Sequence, residues 1–205
     1  MCFDLEKIRK IMLEPSKFFK AVRKEKTLDN ALKYFVVLSL ISTVLGVFAG
    51  YLFQEQLYQF TESLFGLKVP RHAFAIQVLF LSITIGYIWS IVGSFIVAGI
   101  LHVWLLIFGA KGKYTKTYQL SVYSGTPGYL LGWIPFVNFF VWIYSLALLI
   151  IGTQKMYGFS KRRSIAIYLI PLAIFLLIML MMITFLISIK SNPLLINSII
   201  NNTAV

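Results

Sequence analysis

Apolar residues run through this chain in long blocks, separated by short polar or charged stretches. A hydrocarbon core about 30 Å thick needs roughly 20 residues of helix to cross it. Four blocks meet that length: about Asn30 to Phe53, Phe74 to Ala110, Val137 to Met156 and Ser164 to Ile189. A fifth stretch, Thr117 to Trp133, is shorter and more polar. Before the first block, Leu5, Ile8, Ile11 and Met12 recur at helical spacing until Glu14-Pro15-Ser16 interrupts them. Phe18, Phe19 and Val22 then oppose Lys17, Lys20, Arg23 and Lys24. Proline suits the first turn of a helix, so the pattern predicts two short amphipathic helices on the membrane surface within residues 1–29. Thr27 is positioned to cap the next helix.

The second block carries small or polar residues at every fourth position: Ser82, Gly86, Ser90, Ser94, Ala98, then His102. Such a row drifts about 40° per step round a helix, and in lipid it lets a second helix approach closely. As one straight helix the block is about 55 Å long. It is either one tilted span that protrudes or two short spans broken near Gly86.

The fifth stretch includes Tyr118, Gln119, Ser121, Tyr123, Ser124, Gly125, Thr126, Pro127 and Gly128. These are not lipid-facing residues, so the segment must be shielded by other helices. Pro127 should kink or break it. A full crossing and a re-entrant loop put Lys155 to Arg163 on opposite sides of the membrane. The loop after the first block, Gln54 to His72, has an apolar spacing of its own (Leu57, Phe60, Leu64, Phe65) and stops at Gly66 and Pro70. It predicts a short helix on the outer surface.

Charge placement arbitrates. With five spans, sixteen of the nineteen basic residues fall on the side of the N-terminus, and only Lys68, Arg71 and Lys190 on the other. Basic loops stay in the cytoplasm. Splitting the second block would send Lys111, Lys113, Lys116, Lys155, Lys161, Arg162 and Arg163 outside, so one span is expected there. The chain therefore reads as all-α: a polytopic membrane protein with five transmembrane helices over 30–189, a cytoplasmic amphipathic segment over 1–29 and an external tail over 190–205. Composition agrees, because 59% of the residues are hydrophobic, against about 45–50% in soluble domains. The net charge of +12 gathers at segment ends, where it meets anionic headgroups. Nucleic acid is not the expected partner.

All seven acidic residues lie within the first 62 positions. Acid–base catalysis and metal binding need carboxylates, histidine pairs or several ligands within reach. The spans offer His102 alone, so no catalytic residue, metal or cofactor is expected. An ionisable group inside a membrane segment is a functional candidate by default, but His102 has an economical structural role as a hydrogen-bond partner of a tyrosine or serine in the polar stretch. The candidate groove is Gly86, Ser90, Ser94, Ala98 and His102, with Tyr123 and Pro127 from the polar stretch as its occupants. The candidate membrane-surface residues are Lys17, Lys20, Arg23 and Lys24.

Several short motifs follow one another in a familiar order. Pro15-Ser16-Lys17-Phe18-Phe19 leads into Asn30–Val37, and His102 comes near the end of the second block. The turn Gly109–Lys113 and the stretch Tyr118-Gln119-Leu120-Ser121-Val122-Tyr123-Ser124-Gly125-Thr126-Pro127 follow. Pro135, Trp142 and Gly152 to Gly158 complete the series. Over about residues 14–189 this order resembles the Yip1 domain family, and the resemblance implies a five-span protein with a cytoplasmic N-terminus. Eukaryotic members are linked to Rab-type GTPases and vesicle traffic. The long N-terminal extension and the Asp-Leu-Tyr-Gly-Pro motif of those members are not found here, and the Ile/Lys/Asn-rich makeup suits an AT-rich prokaryote. The expected function is a non-enzymatic scaffold or adaptor in membrane organisation or trafficking, working through anionic lipid and a cytoplasmic protein partner. The alternative is a lipid or small-amphiphile transporter or scramblase using a polar groove between the second and third spans. Nothing in the pattern indicates a homo-oligomer, although it permits one.

Overall fold

The computed structural model describes residues 5–66 and 76–191. Pro70, Lys68, Arg71, Phe74 and the tail past Ser191 lie outside the described residues. The chain divides into two compact units, residues 1–164 and 165–205.

In the first unit, α1 (Leu5–Leu13) and α2 (Pro15–Val22) are the two short N-terminal helices. Pro15 opens α2 in its first turn, where its missing N–H costs nothing. Part of the apolar face of this pair is buried in protein: Ile11, Phe18, Phe19 and Val22 are covered, while Leu5 stays exposed. The helix α3 (Asp29–Leu52) begins behind Leu28 without a side-chain cap. Thr27 contributes its carbonyl instead, accepting from Gln119 Nε2 at 2.8 Å. A short helix, α4 (Gln54–Phe65), follows and ends at Gly66 in the left-handed conformation, which glycine adopts without steric cost. Leu57, Phe60 and Leu64 are exposed along it.

The second block forms one helix, α5 (Ile76–Ile107), 32 residues long and unbroken at Gly86. Its first half packs on α3. Tyr87 OH donates to the Val36 carbonyl at 3.2 Å, and a Cβ placed on Gly86 would stand 3.4 Å from Thr43 Cγ2. The chain turns at Gly109, again left-handed.

The polar stretch forms two helices, α6 (Tyr114–Ser124) and α7 (Thr126–Leu131). The helix starts three residues earlier than the apolar pattern indicates, because Tyr114 and Lys116 are shielded by neighbours. The break at Gly125 has a local cause. Pro127 has no N–H to offer the Tyr123 carbonyl, and Thr126 Oγ1 donates there instead, at 2.9 Å. Thr117, Tyr118, Gln119, Leu120, Val122, Tyr123 and Ser124 are all buried.

The turn into α8 (Val137–Tyr157) places Phe136 at φ 65. The Val137 N–H reaches the Pro135 carbonyl at 2.8 Å, so Phe136 is the centre of a tight three-residue turn that bulky residues rarely adopt. Its side chain is 92% exposed. Gly152 marks a close approach of α2, α6 and α8, where a Cβ would collide with Leu120 and stand 3.1 Å from the Phe19 ring. The last helix, α9 (Lys161–Ser191), contains Pro171 and the boundary between the two units. Within the second unit it is apolar all round, with Ile174 to Met182 exposed.

Four of these helices, α3, α5, α8 and α9, are long and apolar enough to cross a membrane. The α6–α7 run is not among them.

Candidate functional site

On α5, the row of small residues meets two different neighbours as it winds round the helix. Gly86 faces α3, while Ser94, Ala98 and His102 lie on the side towards α6. Ser94 Oγ gives its proton to the Ile91 carbonyl at 2.7 Å. The Tyr118 hydroxyl, 3.2 Å away, is therefore the donor between those two side chains. The Tyr118 ring stacks on Phe95 with centroids 4.8 Å apart. Tyr114 OH donates to the Phe95 carbonyl at 2.8 Å. Ala98 is fully buried and Tyr118 is too. Ser90 bonds back to the Tyr87 carbonyl of its own helix at 2.8 Å. Two tyrosines of α6 thus fill the furrow beside α5.

Tyr123 and Pro127 stand elsewhere. Five residues separate Tyr118 from Tyr123, which turns the second ring about 140° away round the helix. Tyr123 meets Phe18 edge-on at 5.1 Å and Tyr34 at 5.4 Å. Pro127 is buried in the first turn of α7.

His102 Nδ1 lies 2.7 Å from Thr117 Oγ1, which lies 2.6 Å from Tyr157 OH. This hydrogen-bonded chain ties α5, α6 and α8 together. The Tyr114 ring covers the imidazole edge-on at 5.9 Å. The partner is a threonine, where the sequence pointed to a tyrosine or serine.

The same contacts place three basic segments at one end of the first unit. The α5–α6 turn and the end of α8 meet at Thr117 and Tyr157. Lys116 Nζ sits 4.9 Å over the Tyr157 ring, and Arg163 donates to the Phe108 carbonyl at the C-terminus of α5, where a cation is favoured. Burial holds the Lys116 ammonium below the usual lysine range, and the charge of Arg23 at the end of α2 adds to it. Lys17, Lys20, Arg23 and Lys24 are all exposed.

One cluster has no counterpart in the sequence pattern. Lys7 Nζ donates to Tyr123 OH at 2.9 Å. It also lies over the rings of Tyr123 and Tyr34, 4.6 Å and 5.3 Å from their centroids. Thr126 has spent its proton on the Tyr123 carbonyl, so the Tyr34 hydroxyl donates to Thr126 Oγ1, at 3.0 Å. Glu25 stands within electrostatic range of the Tyr123 hydroxyl. The one hint in the sequence is that Lys7 precedes Ile11 by one turn and so shares its inward face. Among the described residues, no group of three His, Cys, Asp or Glu stands together as a metal site.

No curated protein and no solved structure matches the chain. A family model, the Yip1 domain, matches residues 9–183. With so much of its length matched, and with apolar helices long enough to span a bilayer, the chain belongs to the Yip1 domain family and is an integral, multi-pass membrane protein.

Proposed function

We propose that this protein is a non-enzymatic scaffold or adaptor of a prokaryotic cell membrane. It crosses the bilayer five times, with its N-terminus in the cytoplasm and its C-terminus outside. Its basic inner face engages anionic headgroups and a cytoplasmic protein partner. The observation that carries this reading over a lipid transporter is the occupied furrow on α5. A conduit needs open polar volume along its length, and Tyr114 and Tyr118 take up that volume with directed hydrogen bonds.

Five crossings are supported by the hydrogen bond between Thr117 and Tyr157. It brings the ends of α6 and α8 to the same end of the unit, as expected when 117–133 leads out and α8 leads back. A re-entrant 117–133 would send the Lys155–Arg163 turn to the opposite side of the membrane from Lys111–Lys116. The positive-inside tendency then assigns this shared basic end to the cytoplasm.

The adaptor role is tested by purification from native membranes in parallel with a variant carrying Lys17→Glu, Lys20→Glu, Arg23→Glu and Lys24→Glu. The reading expects a stoichiometric protein partner that the charge reversal removes, while the fold persists by circular dichroism. A partner unaffected by the reversal, or a stoichiometric lipid with no protein, contradicts it.

A further inference from the structure

The Lys7 cluster is a charged group seated on aromatic faces at a particular depth. With α3 as a span entered from the basic side, as proposed above, Tyr34, in its second turn and one residue past Lys33, stands at headgroup level. Tyrosine is favoured at that level because its ring is apolar and its hydroxyl polar. Two tyrosine faces attract an ammonium group through their quadrupoles, and the Tyr123 oxygen accepts one of its protons. Two further acceptors belong to the segments that pack round Tyr123. Glu25 Oε2 is buried with no hydrogen-bond partner among the described residues. Gln119, one turn before Tyr123 on the same face of α6, keeps a buried Oε1 with no partner either. Buried acceptors are normally satisfied, so two orphans on the segments that pack round Tyr123 mark a place with acceptor capacity to spare. The nine-residue helix that carries the lysine buries a single side chain, Ile11, and its Met12 carbonyl accepts from Tyr144 OH, so α1 adds little to the buried core of the unit.

We propose that Tyr34, Tyr123, Glu25 and Gln119 form a primary-ammonium site, filled here by Lys7 and open to the ammonium group of an amine ligand when α1 moves away. The chemistry is that of a protonated primary amine, carried by a lipid such as phosphatidylethanolamine or by a small free amine. The depth of Tyr34 suits the lipid. The inference goes beyond the adaptor role and does not depend on it.

The test compares the full-length wild type with Lys7→Ala, in detergent for native mass spectrometry and in calorimetric titrations. The probes are phosphatidylethanolamine, phosphatidylcholine, phosphatidylglycerol and n-butylamine. The proposal expects Lys7→Ala to bind phosphatidylethanolamine or butylamine at least tenfold more tightly than the wild type. Adding Tyr123→Leu should abolish the gain. Tighter binding of the lipid alone assigns the site to a headgroup, and tighter binding of butylamine as well assigns it to primary amines in general. Lys7→Met, which keeps the aliphatic stem of the side chain, gives the same reading if the alanine variant does not fold. A folded Lys7 variant that gains affinity for neither amine, or gains equally for phosphatidylcholine or phosphatidylglycerol, overturns the proposal.

Discussion

Tyr118 and Tyr123 are five residues apart, and that spacing sends one ring to α5 and the other to α1 and α3. Single residues of this kind decide how the polar stretch is shielded. Thr117 is the most exacting of them, because its hydroxyl serves both His102 and Tyr157. Replacing it with valine leaves two polar groups without a partner, and each such loss costs about 1–3 kcal/mol in a buried setting. Thr117→Val should therefore lower the unfolding midpoint in detergent more than His102→Ala, which leaves the threonine–tyrosine bond intact. An equal loss from both would place the weight on the histidine. Ser94→Leu should also destabilise, by about 1–3 kcal/mol, because the Tyr118 ring leaves no space for a larger neighbour. At Phe136 the expectation runs the other way. Its left-handed backbone costs about 1–3 kcal/mol, and its exposed ring has almost no protein contact to lose. Phe136→Gly should raise the thermal midpoint.

At the scale of elements, the contact between α2, α6 and α8 turns on Gly152. A side chain there meets Leu120 and Phe19 together, and overpacking of this sort costs about 1–3 kcal/mol or more. Gly152→Val should release α2 from α8, read as faster proteolysis after Lys17 or Lys20 with α3 and α5 still protected. Unchanged cleavage would mean that α2 is held by something else. This docking was only half legible in the sequence. The spacing of Phe18, Phe19 and Val22 gives an apolar face, but a face of that kind suits lipid and protein alike. The long blocks were legible because a run of apolar residues in lipid has only one economical backbone, the helix. The start of α6 at Tyr114 was not, since Tyr114 and Lys116 look like loop residues until Phe95 and Tyr157 cover them. Lys7 and Tyr123 lie 116 residues apart, and no local spacing announces such a pair.

For the whole molecule, the question is whether the row of small residues on α5 is a packing surface or a path. Its members bond to their own helix or to α6, with Gly86 turned to α3, and the furrow holds tyrosines. On the adaptor reading proposed above, that packing belongs to a bundle that presents a basic face, with Tyr114 and Tyr118 standing where a lipid route between α5 and α6 would run. The sequence located the row but could not say what filled it, because the helical angle between Tyr118 and Tyr123 matters only once α6 is set beside α5. The most direct measurement is transfer of dye-labelled lipid between leaflets of proteoliposomes, with the wild type and Ser94→Leu compared against empty vesicles. The account predicts no acceleration over empty vesicles for either protein. Acceleration by the wild type that Ser94→Leu removes, with its fold retained, would contradict it.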